Sequence, residues 1–346
     1  MTFNWERCKI FKQRMKKDVI GFGAINLDLI YEVKDKKIIE EFRNYETHIS
    51  EKEFNSLKKF LAQKAELKSK SAGGSAANTV YALAKMEFKT GYIGKVGKDK
   101  EGKFLLKNFN PVDTSGICFD EKSGTTLILI SNRDRLILVL PNSNDTLRYE
   151  EIDLDYAGNT KFLHLTSFIG DLPFQAQVKL VKEMYERSVR SGEERCLLSF
   201  DPGQCYAQRG LKALLPIIRH TEVIFPSEGE IKSLTGKNYR EGSQELLNYG
   251  AKIVACTRGV EGSYVISKNE EYEIPADPEI KPVDPTGAGD VYAAGFLAGL
   301  LLNLPLKKCG QLATKLAEIS ITGYGREKYP TKESLEEAIK RRGMIF

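Results

Sequence analysis

From Asp18 onward, short apolar runs alternate with segments of helical pattern, the grammar of an α/β domain built on a mostly parallel central sheet flanked by helices. Asp18-Val-Ile-Gly-Phe-Gly23 predicts the first strand, Ala76 to Met86 a helix, and Thr90 to Val96 the next strand. Phe162 to Thr166, Cys196 to Phe200, Val223 to Phe225 and Ile253 to Thr257 are further runs of strand length. Two places break the alternation. Thr125 to Ser131 and Arg135 to Leu140 are β-rich and flank Asn132-Arg-Asp134, which predicts a hairpin. Ile25 to Val33 is another extended run with a charged tail, and residues 38–68, rich in Glu and Lys, predict a solvated helical segment. No stretch rich in Pro, Gly or Ser divides the chain and no repeat is visible. One domain over residues 18–346 is expected, preceded by a basic extension over 1–17.

Composition changes this picture little. With 346 residues, 41% hydrophobic and 29% charged, the chain can bury a substantial core. Its net charge of +5 comes from Lys and Arg scattered among nearly as many Asp and Glu, which gives no nucleic-acid groove. Cysteines 8, 118, 196, 205, 256 and 309 lack paired C-x-x-C spacing, so thiols in a reducing, cytoplasmic compartment are expected. His48, His164 and His220 are too few and too dispersed for a zinc site. No apolar run approaches the roughly 18 residues of a membrane span. The extension sets six basic residues between Arg7 and Lys17 against Glu6 and has no long apolar h-region for secretion. A surface extension is expected there, with a basic docking segment as the alternative.

Candidate chemistry concentrates in Asp284-Pro-Thr-Gly-Ala-Gly-Asp290, which runs into the apolar helical stretch Val291 to Leu302. Small residues leave the amides of Gly287, Ala288 and Gly289 open at a helix N-terminus, where unpaired donors and the positive dipole end favour an anion such as a phosphate. Asp290, on the first turn, is placed to take a proton from an attacking hydroxyl. Near the start, Asn26 and Asp28 share one face of an extended chain. An amide beside a carboxylate can hold a vicinal diol, and a polar strand end is the bland alternative. Gly73-Gly74-Ser-Ala-Ala-Asn78 lets backbone approach a ligand where a helix begins, although a plain helix entrance explains it too. Asp99, within Gly94 to Gly102, is expected to cap a helix. Gly21-Phe-Gly23 lacks the third glycine of a dinucleotide fingerprint, and G-x-x-x-x-G-K-[ST] is absent.

Taken together and in this order, these motifs resemble the ribokinase-like family of carbohydrate and nucleoside kinases, often called the PfkB family, over roughly residues 18–330. The resemblance implies a ribokinase-like fold with a small β lid from about 25–37 and 112–141. It implies that Asn26, Asp28, Gly73, Gly74 and Asn78 contact the sugar, and that Asp290 and the amides at 287–289 carry phosphoryl transfer. It further implies that Glu230 helps hold Mg²⁺, that Ser227, Thr257, Gly259 and Gly262 lie beside ATP, and that Gly323-Tyr-Gly325 borders the adenine. Ser227 departs from the pattern, since the family usually has Asn there. Residues 38–68 resemble an insertion of the adenosine-kinase branch. ATP and Mg²⁺ are the expected cofactors, with a monovalent cation left open. The expected activity is ATP-dependent phosphorylation of a hydroxymethyl group on a ribose- or fructose-like sugar, with a nucleoside kinase as the alternative and a non-catalytic ligand-binding relative a third reading. The expected partner is a small molecule rather than nucleic acid or membrane, and a homodimer is left open.

Overall fold

The computed structural model describes residues 16–33, 46–131, 134–191 and 196–341. Its strands in chain order are β1 (Lys17–Phe22), β2 (Asn26–Glu32), β3 (Glu46–His48), β4 (Glu66–Gly73), β5 (Thr90–Gly97), β6 (Asp113–Asp120), β7 (Gly124–Ser131), β8 (Asp134–Leu140), β9 (Thr160–Thr166), β10 (Leu197–Asp201), β11 (Thr221–Ile224), β12 (Ile253–Thr257), β13 (Ser263–Ser267) and β14 (Glu271–Ile274). They form two sheets. The larger runs β14-β13-β12-β11-β10-β9-β1-β5-β6 and is parallel except at β12-β13-β14. A parallel sheet covered on both faces needs apolar residues at successive positions. β1 shows this: Val19 faces one core with Phe225 and Phe296, while Ile20 and Phe22 face another with Leu165 and Phe200. From β1 the chain steps to β5 and β6 on one side and later to β9 and beyond on the other. That reversal is a topological switch point, beside whose carboxyl ends open α/β sheets bind ligands.

The smaller, mixed sheet has the order β3-β8-β7-β2-β4, and its two faces follow the period of two. Leu27, Leu29, Leu127, Leu129, Leu136 and Leu138 point outward into one core with Phe54 and Leu61 of the helix Glu51–Lys64. Asn26, Asp28, Thr126, Ile128, Ile137 and Val139 point the other way and line a cavity. The expected solvated helix is therefore a roof over the lid, started by a capping box between Ser50 and Glu53.

The expected lid boundaries need correction at residues 112–120. That segment is β6, an edge strand of the large sheet beside β5, and the second lid segment begins at Gly124. The lid instead gains β3 and β4, and β4, at the sheet edge, is polar and largely exposed over residues 66–70. Residues 34–37, 132 and 133, and residues 1–15 of the basic extension, lie outside the described residues. Among the described residues no helix is long and apolar enough to cross a membrane.

Candidate active site

A cavity of about 700 Å³ lies between the inner face of the lid and the carboxyl ends of β9 to β12. Its floor is the loop 284–290. Buried Asp284 shapes that loop by accepting the amides of Thr286 at 2.9 Å and Gly325 at 3.0 Å. Gly287 then takes a left-handed φ of 79° as the N-cap of the helix Ala288–Leu301, and a Cβ there would stand 2.6 Å from the Tyr329 hydroxyl. The amides of Gly287 and Gly289 have no acceptor among the described residues. The Ala288 amide differs from expectation, because it closes a turn on the Pro285 carbonyl at 3.2 Å. Two open amides rather than three remain for an anion.

Asp290 sits where two helix N-termini meet. The Ser75 hydroxyl donates to its Oδ1 at 2.6 Å and the Asn78 amide to its Oδ2 at 2.7 Å. Both donors come from the first turn of the helix Ser75–Lys85, and Thr79 of that helix donates to the Asp290 carbonyl at 3.1 Å. A carboxylate so oriented can accept a proton from a group in the cavity. Asn78 gives its carbonyl to Arg326 Nε at 3.0 Å, so only one amide hydrogen is left for a ligand.

Sequence reasoning missed Asp201, at the end of β10. Its Oδ1 accepts the Gly203 amide at 2.9 Å and its Oδ2 lies 3.3 Å from the Ser75 hydroxyl. Burial first, and the charges of Glu230 and Asp290 next, push this carboxyl well above the usual range. The signal was present as an Asp-Pro-Gly directly after an apolar strand, a carboxylate at the ligand-binding end of a parallel sheet.

Asn26 and Asp28 line the lid side of the cavity. Asn144, also missed, is buried and fixes Asn26 by donating to its Oδ1 at 2.8 Å while bonding both backbone groups of Ile25. Gly73 does not line the cavity. It lies behind Asp28, and a Cβ would fall 1.8 Å from that carboxylate, so only glycine lets the acid lie against β4. Gly74, Asn78 and the apolar group Ile128, Ile137, Val139, Phe168 and Ile169 complete this side.

On the opposite side Ser227, Glu230, Thr257 and Gly259 line the cavity. Ser227 caps the helix Glu228–Thr235: its hydroxyl accepts the Glu230 amide at 3.3 Å, and Glu230 Oε2 accepts the Ser227 amide at 2.8 Å. This is the S-x-x-E capping box, readable from sequence. Ser227→Ala is expected to cost ~1 kcal/mol and lower Tm, whereas Ser227→Asn keeps a cap and the parental Tm. Equal melting of all three proteins in thermal denaturation would remove this role. Gly262 needs correction, since it turns the chain into β13 against Ile274 and Ala276 and does not reach the cavity. Gly323 to Gly325 also lies elsewhere, with Gly325 beside Asp284, Ser69 and Ser71.

His164 is a core residue. Its Nδ1 lies 3.0 Å from Ser199 Oγ, and burial pushes its pKa down to about 3. No group of three His, Cys, Asp or Glu among the described residues forms a metal cage.

The description pfkB family carbohydrate kinase belongs to the family whose sequence model matches residues 49–332. An uncharacterised sugar kinase of Archaeoglobus fulgidus is 36% identical over 265 residues, covering 74% of this chain and 99% of the relative. A nucleoside kinase of Methanocaldococcus jannaschii is 29% identical over 274 residues, covering 78% and 85%. The crystal structure of a probable sugar kinase from Rhizobium etli superposes with a TM-score of 0.81 at 22% identity, covering 96% of this chain and all of that one.

Proposed function

The chain belongs to the pfkB family of carbohydrate kinases, and on that footing we propose that it transfers the γ-phosphoryl group of ATP to the hydroxymethyl oxygen of a furanose, with Asp290 as general base. The observation that carries this reading is the placement of Asp290: two donors orient its carboxylate at the cavity floor, beside the open amides of Gly287 and Gly289 and across from Asn26 and Asp28. The acceptor oxygen attacks the γ-phosphorus as its proton passes to Asp290 and the bond to the bridging β–γ oxygen breaks, releasing ADP. The amides stabilise charge on the phosphoryl oxygens, so most of the acceleration is positioning and electrostatics. Ser227, Thr257 and Gly259 stand on the nucleotide side. Asp201 and Glu230 suit a hydrated divalent cation, because a site with few protein carboxylates and retained water is how Mg²⁺ is usually bound. Burial, with the charge of Glu230 second, raises Asp201, and a cation bound between the two carboxylates would offset both. When bound, Mg²⁺ supplies charge neutralisation on the phosphates.

Within this class the apolar wall bears on the acceptor. A free sugar needs a closed polar cup, whereas Ile128, Ile137, Val139, Phe168 and Ile169 offer a surface for a nucleobase. This wall favours a nucleoside over the free ribose- or fructose-like sugar expected from Asn26 and Asp28, and the Methanocaldococcus relative's name accords with it. The free sugar stays as the second reading, supported by the name of the Archaeoglobus relative. ATP consumption with ribose, fructose, adenosine, cytidine and inosine tests both. At least one nucleoside is expected to exceed either sugar in kcat/KM by about tenfold, ~1.4 kcal/mol in transition-state terms. The reverse order would restore the sugar reading, and no turnover with any acceptor would count against the class. The helix Glu51–Lys64 covers the outer face of the lid, which leaves that face unavailable to a homodimer.

A further inference from the structure

Arg326 occupies a position that the phosphoryl-transfer reading does not use. Its Nε donates to Asn78 Oδ1 at 3.0 Å, while the guanidinium carbon lies 4.5 Å from the Tyr81 ring centre and 5.7 Å from that of Phe109. Nη1 and Nη2 are buried and have no hydrogen-bond partner among the described residues. Burying a guanidinium is costly, and stacking on two rings returns only part of that cost. Among the described residues the one directional bond that the cation makes is to Asn78.

That bond settles an orientation. A side-chain amide can face either way, but arginine has donors only, so Asn78 must turn its oxygen to Arg326. Its NH₂ group then has to face Asp290 Oδ2, where it lies at 2.7 Å. With the amide reversed, a carbonyl oxygen would oppose the carboxylate and push it away from its place between Ser75 and Asn78.

We propose that Arg326 is a positioning residue for phosphoryl transfer, acting through Asn78 to hold the Asp290 carboxylate toward the acceptor hydroxyl. The inference rests on the reading of Asp290 as the base. It assigns a role in turnover to a residue far along the chain that touches neither acceptor nor nucleotide. Arg326→Met is the informative substitution, because methionine keeps the contact with Tyr81 and Phe109, cannot donate to Asn78, and removes the buried charge.

The experiment uses the full chain, Mg²⁺-ATP and whichever of ribose, fructose, adenosine, cytidine and inosine has the highest kcat/KM. Asp290→Asn comes first and must collapse turnover; if it does not, the reading of the site fails and this inference falls with it. Arg326→Met is then expected to lower kcat roughly 10- to 100-fold, the scale of a misplaced catalytic group, with the KM for ATP unchanged. Arg326→Lys, which can still donate to Asn78, recovers part of the loss. In the Asp290→Asn background, at saturating acceptor so that the effect of the cation on Asp28 does not enter, Arg326→Met leaves the residual kcat unchanged, since the carboxylate it acts through is gone. Parental kcat in the folded Met variant, or an equal loss in both backgrounds, overturns the proposal while leaving the kinase reading intact. Should the Met variant not fold, the Lys variant is compared in the two backgrounds, and an equal loss there is equally decisive.

Discussion

Asp290→Asn is expected to lower turnover by ~10²–10⁴-fold, the usual contribution of a positioned base, while ATP still raises the melting temperature. The carboxylate accepts from the Ser75 hydroxyl at one oxygen and from the Asn78 amide at the other. An asparagine can satisfy only one of these donors with its oxygen, and its own NH₂ would have to face the second. The variant therefore loses the proton acceptor and part of the orientation together. It does not lose the amides of Gly287 and Gly289 or the nucleotide side of the cavity, so the effect belongs in kcat and not in the KM for ATP. Turnover within a few-fold of the parent, measured on purified protein with coupled ADP detection, would remove Asp290 from the mechanism.

Several parts of this arrangement were readable in the chain for a physical reason. β1, β5 and β9 are buried on both faces almost throughout, so apolar residues occupy successive positions at Val19-Ile20, Tyr92-Ile93 and Phe162-Leu163. The loop 284–290 joins small residues to an apolar helix, a local pattern that specifies a helix N-terminus with open amides and the place of Asp290. Asp99 was expected as a cap and accepts the Gly102 amide at 2.7 Å, starting the helix Lys100–Lys107. In each case the signal lies within a few residues.

The parts that were not readable depend on distant pairing. β4 and β6 are edge strands whose exposure does not alternate cleanly between two faces, and their polar sequences carry little period-two contrast. β6 went to the wrong sheet for that reason. Ser75, Asn144, Asp201 and Arg326 are ordinary polar residues until the fold brings them to Asp290, Asn26, Ser75 and Asn78 respectively, across separations of 118 to 248 residues. Gly262 has a local structural reason for being glycine, the close passage of the chain past Ile274 and Ala276. Ser227 was read only as a departure from the family's Asn, although its spacing to Glu230 already marked a helix cap.

Asp28 is expected to make the protein without its acceptor less stable as pH rises through neutrality. Burial on the inner face of the lid is the main cause that lifts its pKa from 3.8 to about 7. The Arg326 guanidinium and the Thr126 hydroxyl act against this, and the charges of Asp290 and Asp284 add to it. The folded state holds the proton more tightly than the unfolded chain, so the stabilisation is fully present below pH 3.8 and is lost as pH rises through about 7. At ~1.4 kcal/mol per pKa unit, the interval amounts to at most ~4 kcal/mol. Asp28→Asn keeps the shape without the ionisation. Its melting temperature relative to the parent should therefore rise between about pH 5 and pH 8, and a constant difference across that range would refute the assignment. Catalysis should run the other way. A diol donating to Asp28 favours the ionised carboxylate, which is an acceptor only, so kcat/KM for the acceptor climbs through neutral pH in the parent. In Asp28→Asn that rise is absent, so the deficit against the parent widens as pH climbs through about 7, towards the roughly 1–3 kcal/mol of the second hydroxyl that an amide oxygen cannot also accept. Stability and acceptor recognition thus pull Asp28 in opposite directions, with binding of the acceptor driving the ionisation that folding disfavours.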